Sequence, residues 1–106
     1  MPDEVINILI QEQDAPKEKM TREEMLDACK EVITKHRQNQ YGTPEDNFGR
    51  IAKYWSVYLG INLQLPDVAM LMILLKVARG QHKNDNVDTW LDIAGYAACG
   101  CEVGTR

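Results

Sequence analysis

At 106 residues, with 44% hydrophobic and 26% charged side chains, the chain has the size and composition of one soluble globular domain. Its net charge of −4 argues against a general nucleic-acid binder. The acidity is local: residues 1–31 hold nine acids against four bases, whereas residues 32–106 hold eight bases against seven acids, which leaves room for a cationic pocket in the body.

The Met1 end is acidic, and its apolar run, Val5–Ile10, is too short for a secretory signal. Val68–Leu75 is the longest apolar run at eight residues, against about 20 needed to cross a bilayer. No membrane partner is expected. Three cysteines, an odd number, do not suggest a secreted disulfide framework, so a reducing cytoplasm, that of a bacterial host if the chain is phage-encoded, is the expected setting.

In chain order, residues 1–20 read as an N-terminal tail or docking segment and residues 21–106 as one helical domain. Thr21-x-x-Glu24 is a capping box that opens the first helix, expected over 22–40. Met25, Cys29, Val32, Ile33 and His36 form its apolar stripe, and Tyr41-Gly42 ends it. Thr43-Pro44-Glu45-Asp46 supplies an N-cap, an N1 proline and two first-turn acids for a second helix over 44–59, which Gly60 closes. Pro66 and Asp67 start a third helix over 66–79, closed by Gly80. Its unbroken apolar run predicts that it is the central one. A polar loop leads to a fourth helix over 87–102, apolar nearly all round except for Asp88 and Asp92. The fold class expected is all-α, a four-helix antiparallel bundle, with enough spare apolar surface to predict a homo-oligomer, a dimer or its multiple.

Asp92 is the sharpest polar defect, because an ionised carboxylate buried without a partner costs several kcal/mol. Lys76 or Arg79, interrupting the apolar face of the third helix, are the expected partners. In an antiparallel bundle the first helix end, second helix start, third helix end and fourth helix start lie together. That end would gather Tyr41, Asn47, Arg50, Lys76, Arg79, Asp88, Asp92 and Tyr96, which are the candidate ligand-binding residues. Each also has a plainer reading: Asp88 as a first-turn acid, Arg79 as a dipole partner in water, Asp92–Lys76 as a pair that fixes register. Gly95 in mid-helix marks close packing or the approach of a ligand. Cys99-x-Cys101 lacks the usual two-residue zinc spacing, and no nucleophile–base pair or glycine-rich phosphate loop is present.

The segments Tyr41-Gly42-x-Pro44-Glu45-Asp46-Asn47-Phe48-x-Arg50-Ile51-Ala52 with Trp55, Asp67-Val68-Ala69, Met72-Ile73-Leu74-Leu75-Lys76-x-Ala78-Arg79 and Trp90-x-Asp92-Ile93-Ala94-Gly95-Tyr96-Ala97 resemble a family of small phage and prophage proteins of unassigned function. The resemblance covers about residues 21–103. A looser likeness is to phage nucleotide-modification-associated domains and to MazG-like all-α nucleotide pyrophosphatases. Those pyrophosphatases carry Glu-x-x-Glu and Glu-x-x-Asp pairs on facing helices, which this chain does not place opposite Asp92. The likeness therefore implies a fold more than a hydrolytic activity.

Two functions follow as expectations. One is a binding protein for a nucleotide or another phosphorylated small molecule, with arginines on phosphate and a tyrosine or Trp55 stacked on a base. The phage setting implies an anti-defence purpose, the sequestering of a host immune nucleotide signal. The alternative is a divergent pyrophosphohydrolase using Asp88 and Asp92 on Mg²⁺, the one reading that calls for a cofactor. A structural or partner-binding phage protein without a ligand is the third reading.

Overall fold

The structure, a computed structural model, describes residues 19–105, so the expectation for the first 18 residues lies outside the described residues. Thr21 starts the ordered helix as its capping box predicts. The Glu24 N–H donates to Thr21 Oγ1 at 3.1 Å, and the Thr21 N–H donates to Glu24 Oε1 at 3.2 Å. Helix α1 (Arg22–Glu31) then runs without interruption through a π-helical segment (Val32–His36) into α2 (Arg37–Tyr41), so that the three form one rod. Helices α3 (Pro44–Leu59), α4 (Leu65–His82) and α5 (Val87–Gly104) follow, and no strand occurs among the described residues. None of these helices is long and apolar enough to cross a membrane.

Short-range chemistry sets the boundaries. Thr43 caps α3 by accepting from the Asp46 N–H at 3.3 Å, with Pro44 at the first helical position. Gly60 ends α3 in the left-handed conformation, φ 71° and ψ 23°. Asn86 caps α5 by accepting from the Asp88 N–H at 2.9 Å. One expected stop fails: Gly80 does not close α4, which continues to His82. Gly80 instead lies inside the helix beside α5, where a Cβ would make ordinary contact with Thr89 Cγ2 at 3.5 Å.

Helix α5, not α4, is the central element. It packs most extensively on α4 and also contacts α1, the π segment and α3. One core cluster joins Ala28, Cys29 and Val32 of the rod to Leu91. A second joins Phe48 and Ala52 of α3 and Val68 and Ala69 of α4 to Tyr96. The unbroken apolar run of α4 instead leaves Met70, Leu71, Leu74, Leu75 and Val77 exposed.

The all-antiparallel arrangement needs a second correction. Helices α4 and α5 are antiparallel, with Pro66 beside Gly104, Ala69 beside Gly100 and Thr89 beside Gly80. The rod, however, runs parallel to α5. Its start, Thr21 and Met25, shares a cleft with Val87 and Trp90, and its end shares one with Gly95 and Cys99. The two-residue link explains this. Gly42 adopts φ 87° and ψ −169°, a conformation open mainly to glycine, and so directs α3 away from a simple hairpin.

Candidate functional site

The π segment decides what the rod presents to α5. The Arg37 N–H donates to the Val32 carbonyl, five residues back, and Thr34 Oγ1 donates to the Lys30 carbonyl at 2.6 Å. The wider turn shifts every later residue by one position around the axis. His36, expected on the inner stripe, is therefore exposed, and Arg37 takes its place half-buried. Close packing accompanies the shift: a Cβ on Gly95 would lie 3.1 Å from Ile33 Cγ2. Gly95 thus permits the approach of the rod to α5.

Beyond that contact the rod, α3 and α5 enclose a narrow cavity of about 40 Å³. Arg37, Tyr41, Asn47, Phe48, Tyr96 and Cys99 are among its lining residues. The Arg37 guanidinium stands 4.8 Å from the centre of the Tyr41 ring, a cation–π distance. Phe48 and Tyr96 tilt against each other with ring centres 6.4 Å apart. Tyr41 and Gly42 also border a second, more open trough of about 460 Å³, which holds Arg50 and Lys53 together with Glu45 and Asp46. Arg50 Nη2 donates to the Tyr41 carbonyl at 3.5 Å, a long bond at the end of α2.

The remaining candidates fall elsewhere. Asp92 is fully buried, and its Oδ2 lies 2.8 Å from Lys76 Nζ. Burial pushes the Asp92 carboxyl above its ordinary pKa, against the opposing pull of Lys76 and Arg37. Burial, and secondarily Asp92, also raises the Cys29 thiol. Cys99, half-buried and near Glu102, is pushed up to about 11. Asp88 stands in the first turn of α5, half-buried, and Arg79 is exposed on α4. Among the described residues no three His, Cys, Asp or Glu side chains are grouped to hold a metal.

The helical scaffold has relatives. Residues 24–104 match the family model described as "Domain of unknown function (DUF6378)". The chain belongs to the DUF6378 family. It is 42% identical over 74 residues to the "Gene 55 protein" of Mycobacterium phage L5, covering 69% of this chain and 47% of that protein. It is 40% identical over 77 residues to the "Gene 55 protein" of Mycobacterium phage D29, covering 73% and 51%. The chain thus spans about half the length of the curated relatives it matches. No solved structure gives a significant match.

Within this DUF6378 domain the structure brings three expected residues, Tyr41, Asn47 and Tyr96, to one cavity and sets Arg50 in the adjoining trough. It places Lys76 and Asp92 together as an internal ion pair. Arg37 was missed. The signal was present, since Cys29, Ile33, Arg37 and Tyr41 recur at every fourth position, but it competes with the stripe that ends at His36.

Proposed function

We propose that this DUF6378 domain binds a nucleotide or a related phosphorylated small molecule across the paired clefts. The observation that carries the reading is their junction: an aromatic cavity shares the Tyr41–Gly42 edge with a trough in which Arg50 and Lys53 stand beside Glu45 and Asp46. A cavity of about 40 Å³ has room for a few waters rather than a whole ligand. A base therefore inserts only an edge beside Tyr41 and Tyr96, with Asn47 supplying both a donor and an acceptor. The phosphates lie in the open trough, where Arg50 offers a two-pronged contact and Lys53 a point charge. Lys76, closed against Asp92, has no part in this binding. Under this reading the protein sequesters a nucleotide signal.

The hydrolytic alternative requires Asp92 to face a metal, and the 2.8 Å contact with Lys76 opposes that role. Thermal-shift measurement against a nucleotide library, with and without Mg²⁺, tests the proposal. A stabilisation of several degrees that does not depend on Mg²⁺ is expected, and it should vanish in Arg50→Ala without a fall in the unliganded melting temperature. Consumption of the nucleotide in the presence of Mg²⁺ would favour the enzyme. No shift with any nucleotide would remove the binding reading.

A further inference from the structure

The cavity between the rod, α3 and α5 is uneven in its hydrogen-bonding polarity. Asn47 and Gln38 carry amides that present a donor or an acceptor as a ligand requires, and the hydroxyls of Tyr41 and Tyr96 do the same. Cys99, its pKa pushed up to about 11, stays a neutral thiol at pH 7, weak in either sense. Arg37 is the exception. Its guanidinium donates from five N–H groups, accepts nothing and keeps its charge at any working pH. No carboxylate is among the described residues that line this cavity, so no side chain there accepts without also donating. The π turn sets Arg37 toward α5, and its place over the Tyr41 ring puts the guanidinium at the edge where cavity and trough meet.

We infer that Arg37 makes this site select a 6-oxo purine, guanine or hypoxanthine, over adenine, an inference that rests on the nucleotide reading above. Guanine presents two acceptors side by side, O6 and N7, which match the paired N–H groups of an arginine. Adenine keeps N7 but carries its N6 amino group where O6 would be. Two donors then confront each other, and one is left unpaired in a narrow site. The amides and hydroxyls accommodate either base and so do not discriminate. Five donors also let the guanidinium hold a base edge and other partners together. The group at position 6 of the base decides the selection, and the 2-amino group of guanine does not.

Isothermal titration calorimetry of the full chain with guanosine, inosine and adenosine 5′-monophosphates tests the inference. The phosphate is the same in all three, and the inosine nucleotide keeps the 6-oxo group without the 2-amino group. The guanosine and inosine nucleotides should bind at least ~10-fold more tightly than the adenosine nucleotide. In Arg37→Gln, whose amide can donate or accept, that ratio should fall to within ~3-fold, whereas Arg50→Ala should weaken all three alike. If Arg37→Gln does not fold, Asn47→Asp decides instead. Its carboxylate accepts without donating, so the preference should shift toward the adenosine nucleotide, and the inference fails if it does not. Equal binding of the adenosine and guanosine nucleotides overturns the inference, as does a guanosine preference that the inosine nucleotide does not share or that survives Arg37→Gln. In each of those results the nucleotide reading itself stands. Binding of none of the three removes that reading and the inference with it.

Discussion

Asp92 Oδ2 and Lys76 Nζ meet at 2.8 Å with side-chain exposures of 0% and 6%, which ties the second turn of α5 to the last turns of α4. Desolvation of two charges offsets most of what their attraction contributes, so the pair fixes register more than it adds stability. Removing one member leaves the other buried and uncompensated. Lys76→Met, which leaves the carboxylate alone, should therefore cost about 3–5 kcal/mol. The double variant Lys76→Met/Asp92→Leu should recover most of that loss. Urea unfolding followed by circular dichroism checks both, and a double variant no more stable than Lys76→Met would contradict this account.

The same carboxyl should make stability depend on pH. Burial raises its pKa from the ordinary 3.8, so the folded protein holds this proton more tightly than the unfolded chain. Its contribution is fully present below the ordinary carboxylate pKa and is lost as pH rises through the higher folded value. Going upward from about pH 4, the stability of the native sequence should fall relative to the Lys76→Met/Asp92→Leu variant. Urea midpoints of the two proteins at intervals between acid and neutral pH measure the difference. A trend in the opposite direction would mean that the ion pair outweighs desolvation.

Gly100 predicts a stability loss that helix propensity alone gets wrong. Glycine to alanine inside a helix ordinarily gains up to about 1 kcal/mol. Here the new Cβ would fall 2.8 Å from the Cβ of Ala69, a rigid neighbour on α4. Gly100→Ala should separate the helices and destabilise the fold by about 1–3 kcal/mol. Adding Ala69→Gly should restore most of it. Melting temperatures of the single and double variants settle the matter.

The three thiols should react in a defined order. Cys101 is exposed, Cys99 is half-buried with its pKa pushed up to about 11, and Cys29 is buried with its pKa raised. At pH 8 the thiolate fraction of Cys99 should be ~100-fold below that of an ordinary thiol, so Cys101 should label first by a wide margin. Timed alkylation read by peptide mass spectrometry would show this. Comparable rates at Cys101 and Cys99 would indicate that the α3–α5 cavity opens readily.

Much of this was legible in the sequence because it depends on local chemistry. The caps at Thr21, Thr43 and Gly60 are short-range bonds or dihedral requirements, and each occurs where its residue type predicts. Asp92–Lys76 was legible for a related reason, since an acid on an apolar helix must find a cation. The rest depends on what lies opposite each face. An apolar run such as Val68–Leu75 demands cover without saying which surface provides it, so α4 read as central although α5 is. The direction of the rod turned on the positive-φ backbone of Gly42, and a glycine after a helix admits more than one exit path. Arg37 was hidden because a fixed helical period cannot register a turn of different pitch.

That change of pitch bears on how relatives should be aligned. A π turn differs from an α turn by one residue, so a relative one codon shorter between Val32 and His36 would carry an unbroken α-helix there. The residue aligned with Arg37 would still face α5, because the deletion and the regained pitch cancel. A single-residue gap at this point is therefore neutral for the cavity. The substitution to look for across species is the loss of the guanidinium itself.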